Sequence, residues 1–369
     1  MSKIKLLVDG HWFDDLYQSP SVFLRGLYDQ IALDEDFELF IAAHDTNLAK
    51  AQFKKASNIQ FLRLSSSSKF RRLIYDFPRI IKKYKIDIAH FQFISPLVKT
   101  CKEIVTVHDL LYRDFKSYFP LTYRMRNDFL FKRSAQRADL ITAVSNYSVK
   151  AIAKHFHISP SKIKLVPNGM HSDFFVKLSS SEHIADKFNV KKYILCVSRI
   201  EPRKNHILLV KAFAELKLWE KDISLVFIGR QDIRVDELDS YLFSLPKEAQ
   251  ERVLRLKNIS EEDLKQFYVN SIVTVYPSFA EGFGIPPLEA ASLGAKVLCS
   301  NSTAMADFDF FGEDLFDPYN IDELKSKLSN AIVSPKYTLE RDRLPELISK
   351  RYNWQFIAND YAKRVKQLV

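Results

Sequence analysis

The sequence predicts an α/β protein of two similar-sized domains, each a mainly parallel sheet covered on both faces by helices. Two observations carry this. Short apolar runs alternate with longer segments of helical period, and the alternation stops near Pro167 and then starts again. The chain also has 369 residues, too many for one ordinary core, with 47% hydrophobic and 27% charged residues, the balance of a folded globular protein.

In the first half, Ile4–Val8, Glu38–Ala42, Ile59–Leu64, Ile86–Phe91, Ile104–Val107, Leu140–Val144 and Ile163–Val166 are apolar enough for buried strands. Between them, Val22–Leu33, Phe70–Tyr84, Leu121–Gln136 and Tyr147–Phe156 read as helices. The break falls at Pro167-Asn168-Gly169, followed by the polar Ser179-Ser180-Ser181-Glu182. Tyr193–Val197, Ser224–Ile228, Val253–Leu256, Val273–Tyr276 and Lys296–Cys299 then form a second set of strands with helices between them. Last, Trp354, Ile357, Ala358, Tyr361, Ala362, Val365 and Leu368 recur at helical spacing, as in a terminal helix docked by its apolar stripe. Two such sheets imply a cleft between domains, with ligands beyond the carboxyl ends of the strands.

Other classes are excluded. No G-x-G-x-x-G fingerprint follows the first strand, and no G-x-x-x-x-G-K-[ST] loop occurs. Ile4–Val8 is too short for a signal peptide's apolar core, and no stretch approaches the roughly 20 apolar residues that span a bilayer. Cys101, Cys196 and Cys299 are too dispersed for a disulfide framework or a metal cluster. A cytoplasmic location is expected. The net charge of +10 is unevenly shared: residues 1–165 hold 27 Lys and Arg against 16 Asp and Glu, the remainder 28 against 29. The basic half should meet something anionic, whether a membrane surface, a nucleic acid or a phosphorylated acceptor, unless it is simply well solvated.

Glycine is scarce, with 8 in the chain, so Gly282 and Gly284 stand out in Phe279-Ala280-Glu281-Gly282-Phe283-Gly284-Ile285-Pro286-Pro287-Leu288-Glu289. This segment follows a strand and opens a helix, with Pro286 or Pro287 placed at its start. Glycines there allow close backbone approach, and the helix dipole favours an anion. Glu281 on the loop and Glu289 in the first turn supply acceptors for the hydroxyls of a sugar and of a ribose. Taken alone, Glu289 is equally a carboxylate that complements the dipole. The second constellation is Ser198-Arg199-Ile200-Glu201-Pro202-Arg203-Lys204-Asn205 at another strand end. Its cations suit a diphosphate, although a solvated basic loop has the same composition.

Together the two segments resemble the donor site of family 4 of the retaining glycosyltransferases, which have the GT-B fold of two Rossmann-like domains. Glu281 and Glu289, separated by seven residues within E-G-F-G-x-P-x-L-E-A, match one mark of that family. Ser198-Arg199 and Lys204-Asn205 match the other, and the resemblance extends over most of the chain, more strongly from His108 onward. It implies that Arg199 and Lys204 bind the donor diphosphate and that Glu289 binds the ribose. Glu281 with Gly282, Phe283, Gly284 and Ile285 would hold the transferred sugar. Gly229, Asn258, Ile259 and Leu264, with Ser198, would frame the nucleotide. In the first half, Thr106-Val107-His108-Asp109-Leu110 resembles the family's H-D segment, whose histidine approaches the reaction centre. Val144-Ser145-Asn146-Tyr147-Ser148 and Val166-Pro167-Asn168-Gly169 are further matches. One departure stands: where the family carries a glycine-rich loop, this chain has the segment from His11 to Ser21.

The resemblance further implies residues 1–167 as an acceptor-binding domain and residues 168–352 as a nucleotide-sugar-binding domain. Residues 353–369 would be a helix crossing back to the first. Catalysis would fall to His108, Glu281, Arg199 and Lys204, with no bound metal or cofactor beyond the nucleotide-sugar substrate. The pattern around Glu281 and Leu315-Phe316-Asp317-Pro318 resembles enzymes of bacterial surface-polysaccharide assembly such as O-antigen and lipopolysaccharide, which favours mannose from GDP-mannose. Lys69–Lys85 and Tyr118–Arg137, rich in cations and aromatic residues, favour peripheral contact with an anionic inner membrane and a lipid-linked saccharide acceptor. The competing readings are a UDP-sugar enzyme, a nucleotide-sugar epimerase, a DNA glucosyltransferase and a non-catalytic saccharide-binding subunit. A nucleic-acid partner is the less favoured.

Overall fold

The computed structural model describes residues 3–14, 19–53, 57, 59–176, 178, 183–333 and 343–369. Part of the segment replacing the glycine-rich loop, Asp15 to Gln18, lies outside them, as does Ser179-Ser180-Ser181-Glu182. The chain divides into two compact units, Met1–Gly169 with Tyr352–Val369, and Met170–Arg351.

In the first unit, β1 (Ile4–Asp9), β2 (Phe37–Ala43), β3 (Ile59–Arg63), β4 (Ile88–Gln92), β5 (Lys102–Val107), β6 (Leu140–Ala143) and β7 (Ile163–Leu165) form one sheet. Its order is β3-β2-β1-β4-β5-β6-β7, and the pairs are parallel. Every residue of β4 and β6 is buried, which is why these strands read as unbroken apolar runs. β4 starts two residues later than its apolar run. Lys85 adopts a left-handed conformation (φ 53°) that ends the preceding helix Phe77–Tyr84, and Ile86 N–H donates to Ile81 O at 3.0 Å.

The helix expected over Phe70–Tyr84 is broken by a π-helical turn, Arg72–Asp76, between Lys69–Arg71 and Phe77–Tyr84. Pro78 explains it. Proline has no N–H and its ring crowds the carbonyl four residues back, so the helix widens just upstream.

The second unit repeats the plan. β8 (Tyr193–Val197), β9 (Ser224–Ile228), β10 (Val253–Leu256), β11 (Val273–Tyr276), β12 (Val297–Ser300) and β13 (Leu315–Phe316) lie in the order β10-β9-β8-β11-β12-β13, again parallel. The sequence had not predicted β13, whose two residues are too few to show a period. In each sheet the chain runs outward from one central strand and then returns to its other side. The switch points lie beside the carboxyl ends of β1 and β4 and of β8 and β11, where such sheets bind ligands.

The terminal helix Trp354–Lys366 packs against Ser19–Ile31 in the first unit. Tyr361 Oη lies 3.0 Å from Tyr28 Oη and 3.1 Å from His90 Nδ1 on β4, all buried. Trp354 lies over two glycines: a methyl group at Gly26 would meet its ring at 2.0 Å, and one at Gly169 at 2.5 Å. Gly26→Ala should therefore lower stability by about 1–3 kcal/mol, read from the urea midpoint. Combined with Trp354→Leu, the loss should be smaller than the sum of the two single losses, because the smaller side chain relieves the clash.

Candidate functional site

β8 ends at Val197, and the chain turns through Ser198 to Glu201 and a short 3-10 helix, Pro202–Lys204. Asn205 follows in a left-handed conformation (φ 55°) and starts the helix His206–Glu215; its amide donates to Pro318 O at 2.9 Å. This tight turn carries Arg203 and Lys204 to the loop after β11, at the switch point. Phe279 N–H donates to Arg203 O at 2.9 Å and joins the two loops.

Glu281 is the centre of the site. Lys204 pairs with its Oε1, Arg203 Nη1 with its Oε2 at 3.0 Å, and Ser278 Oγ donates to Oε1 at 3.0 Å. Its own N–H donates to Thr303 Oγ1 at 2.8 Å, and Thr303 holds a left-handed φ of 52°, strained for a β-branched residue. Arg203 also pairs with Glu201 at 2.6 Å. The side chains of Lys204 and Glu281 are each 12% exposed. Burial pushes the Glu281 carboxyl upward, but the Lys204 and Arg203 charges prevail and hold it at about 2. Burial pulls the Lys204 ammonium below the usual lysine value, against the attraction of Glu281. The result is a charged, largely buried cluster of two cations and two carboxylates, with Glu281 at its centre, at the carboxyl ends of β8 and β11.

Glu289 lies one loop away on the helix Ile285–Ser292. Tyr268 Oη donates to its Oε2 at 3.0 Å. Burial raises its carboxyl to about 7 despite that hydrogen bond. Gly284 precedes the helix at φ 100°, where a side chain would be strained and would press on Met305 at 3.0 Å. The helix begins at Ile285, one residue before Pro286, so neither proline opens it. Proline lacks an N–H, so the first turn, with Pro286 and Pro287, offers few donors to an anion.

Of the remaining donor-site candidates, Ser198 and Gly229 meet at the ends of β8 and β9. A methyl group at Gly229 would lie 2.0 Å from Ser198 O, so only glycine fits. Ser198 Oγ is 3.1 Å from His206 Nε2. Arg199 is not brought to Glu281: its side chain is 44% exposed and lies 3.9 Å from Asp232. Asn258 has a left-handed φ of 56°, Ile259 follows, and Leu264 lies in the helix Glu261–Asn270. Arg203 joins Lys204 in pairing with Glu281, and only the turn reveals which cation of this loop meets that carboxylate. Tyr268 and Thr303 carry no sequence signal, because their roles arise from tertiary contacts.

His108 belongs to the first unit, at the end of β5, and is 5% exposed. Its Nε2 lies 2.6 Å from Gln92 Oε1, and Gln92 Nε2 lies 3.1 Å from His90 Nε2. Ser148 Oγ, within the Val144–Ser148 match, donates to His108 O at 2.6 Å. Burial lowers His108 to about 3, so the ring is neutral and donates from Nε2. Phe93, after β4, is left-handed (φ 62°), with its ring 5.3 Å from that of His108.

Residues 33–174 match the sequence family described as Glycosyltransferase Family 4, and residues 180–344 match Glycosyl transferases group 1. The chain is 28% identical over 278 residues to the O-antigen chain mannosyltransferase RfbU of Salmonella typhimurium, covering 74% of this chain and 69% of that one. It is 24% identical over 272 residues to the serotype-specific mannosyltransferase WbdA of Escherichia coli, covering 69% of this chain and only 32% of the relative. A Campylobacter jejuni N-acetylgalactosamine-N,N'-diacetylbacillosaminyl-diphospho-undecaprenol 4-alpha-N-acetylgalactosaminyltransferase is 30% identical over 190 residues, covering 52% and 48%. Among solved structures, sucrose-phosphate synthase from Thermosynechococcus elongatus superposes with a TM-score of 0.80 at 18% identity, covering 99% of each chain.

Two outcomes follow from the site. Between about pH 4.5 and about 7 the folded chain keeps a proton on Glu289 that the unfolded chain has lost. This group's contribution to stability therefore declines as pH rises through that window and is flat above it, and urea midpoints of Glu289→Gln should lack the decline. Lys204→Ala should cost about 1–3 kcal/mol in the same assay at neutral pH, because Glu281 loses a buried partner.

Proposed function

Since the chain belongs to the group 1, family 4 glycosyltransferases, we propose that it moves mannose from GDP-mannose, with retention of configuration, to a lipid-linked saccharide acceptor in cell-surface polysaccharide assembly. The observation that carries this is the largely buried Lys204, Arg203 and Glu281 cluster, with Glu289 eight residues along, at the switch point of the second sheet. The names of the mannosyltransferase relatives support the donor sugar.

The chemistry breaks the bond between the anomeric carbon and the donor diphosphate and forms one from that carbon to an acceptor hydroxyl oxygen. Negative charge grows on the departing diphosphate. Lys204 and Arg203 neutralise it, with Arg199 from the loop's edge, and N–H groups of Gly282 to Ile285 add fixed dipoles. The acceptor's proton passes to an oxygen of the departing phosphate, so no protein base is required. When the diphosphate engages Lys204 and Arg203, Glu281 is released from them to accept from the sugar's hydroxyls. Glu289, once ionised, accepts from the ribose diol. His108, neutral and held by Gln92, contributes as a hydrogen-bonding group rather than as a cation.

The first unit supplies the acceptor side. Along its two basic helical segments, Phe70, Ile74 and Tyr75, and Leu121, Met125 and Phe129, are all exposed. Exposed apolar groups interleaved with Arg and Lys suit peripheral docking on an anionic bilayer. Among the described residues, no helix is long and apolar enough to cross a membrane.

A thermal-shift screen tests the donor. GDP should stabilise the protein more than UDP, and the reverse order would reassign the nucleobase. Glu281→Gln should lower kcat by about 10²-fold or more with smaller changes in KM for the donor. Nucleotide affinity should weaken as pH falls below about 7, where Glu289 regains its proton, and Glu289→Gln should abolish that dependence.

A further inference from the structure

Three cations of the first unit gather near the carboxyl ends of its central strands, and the most buried of them, Arg72, has an Nε without a hydrogen-bond partner. Arg72 lies in the π-helical turn, which buries it together with Leu73 and Asp76. It is 7% exposed, and its Nε makes no hydrogen bond. Asp9 Oδ2, at the end of β1, is 3.8 Å from that Nε, beyond hydrogen-bond reach. Asp9 is already engaged, since His11 Nδ1 lies 2.7 Å from its other oxygen and His11 N–H donates there at 3.3 Å. Asp76 accepts from Ser65 N–H at 3.1 Å and from Ser65 Oγ at 2.6 Å.

Lys69 precedes Arg72 by three residues on the same helical run, the spacing that sets two side chains side by side. Arg126, on the helix Leu121–Arg137, comes near enough for its charge to act on Lys69. Tyr123, three residues before Arg126, senses the Asp109 carboxylate, which places this helical face by the end of β5. Burial, then repulsion from Arg126 and Arg72, brings the Lys69 ammonium down to about 8. A buried guanidinium with an unused N–H and a half-buried lysine pressed by like charges are each costly without a ligand. A tetrahedral dianion relieves all of it, accepting from the planar guanidinium edge and from a point-charge ammonium. π-helical turns recur at functional sites, and this one delivers the arginine.

We propose that Arg72, Lys69 and Arg126 form a subsite of the first unit for a phosphate or diphosphate group carried by the acceptor, built from residues other than those that hold the donor diphosphate. This rests on the assignment of the acceptor to the first unit. The exposed Phe70, Ile74 and Met125 on the same helical segments would accompany the apolar tail of such an acceptor.

The test uses the full chain with a saturating nucleoside diphosphate and titrates inorganic pyrophosphate by calorimetry. Wild type and Lys204→Ala should bind it with similar affinity. The double variant Lys69→Gln, Arg126→Gln, the first position half-buried and the second exposed, should lose about tenfold or more. Arg72→Gln should do the same, with its urea midpoint reporting whether it is folded. In turnover, the double variant should raise KM for a diphosphate-bearing acceptor while leaving KM for the unphosphorylated saccharide unchanged. Pyrophosphate affinity unchanged in the double variant, or dependent on Lys204, would overturn the subsite. So would loss of sedimentation with phosphatidylglycerol vesicles in a double variant that keeps its pyrophosphate affinity, because the cations then serve a membrane surface. Nucleotide binding, read separately through Lys204 and Glu289, reports on the donor assignment whatever the pyrophosphate result.

Discussion

Parallel strand pairing is the constraint from which the rest of this structure follows. Each strand must return through a crossover, so the sheets are covered on both faces and their backbone is sealed from water. What remains open is the row of carboxyl ends, and the order of strands makes it deepest where the winding reverses. Both units have left-handed or strained backbone there: Phe93 after β4, Asn205 after β8, and Gly284 and Thr303 around the loop after β11.

The two switch points solve the problem of buried polarity in opposite ways. In the first unit His108, Gln92, His90, Tyr28 and Tyr361 make a chain of neutral hydrogen bonds, and burial keeps both histidines uncharged. In the second, Lys204, Arg203, Glu201 and Glu281 form ion pairs that compensate one another. A neutral network orients groups rigidly without drawing an anion. An ionic one is costly to bury but can exchange an internal carboxylate for an incoming diphosphate. The Arg72 group stands between these cases, with charges present and compensation incomplete.

Much of the fold was legible because buried parallel strands are continuous apolar runs, and four strands of the second sheet have the bounds their runs imply. The residues of the candidate site were legible for a different reason: Glu281, Gly282, Gly284, Glu289 and Lys204 are close in sequence to the turns that place them. What sequence could not resolve depends on where a turn points a side chain. Arg199 and Arg203 are four residues apart and chemically alike, yet only Arg203 reaches Glu281. Tyr268 reaches Glu289 from another helix, with no local pattern to announce it. The π-helical turn lay hidden because Pro78 marks a disturbance but does not say how the helix absorbs it.

The terminal helix has a consequence for how the molecule comes into being. Residues 170–351 are, in the path of the chain, an insertion within the first unit, which is made of Met1–Gly169 and Tyr352–Val369. During synthesis the surface formed by Gly26 and Tyr28 has no cover until Trp354 and Tyr361 have emerged, which happens only after residues 170–351. The first unit to begin is thus the last to be completed. Throughout that interval its histidine and tyrosine network lacks the hydrogen bonds that Tyr361 makes to Tyr28 and His90.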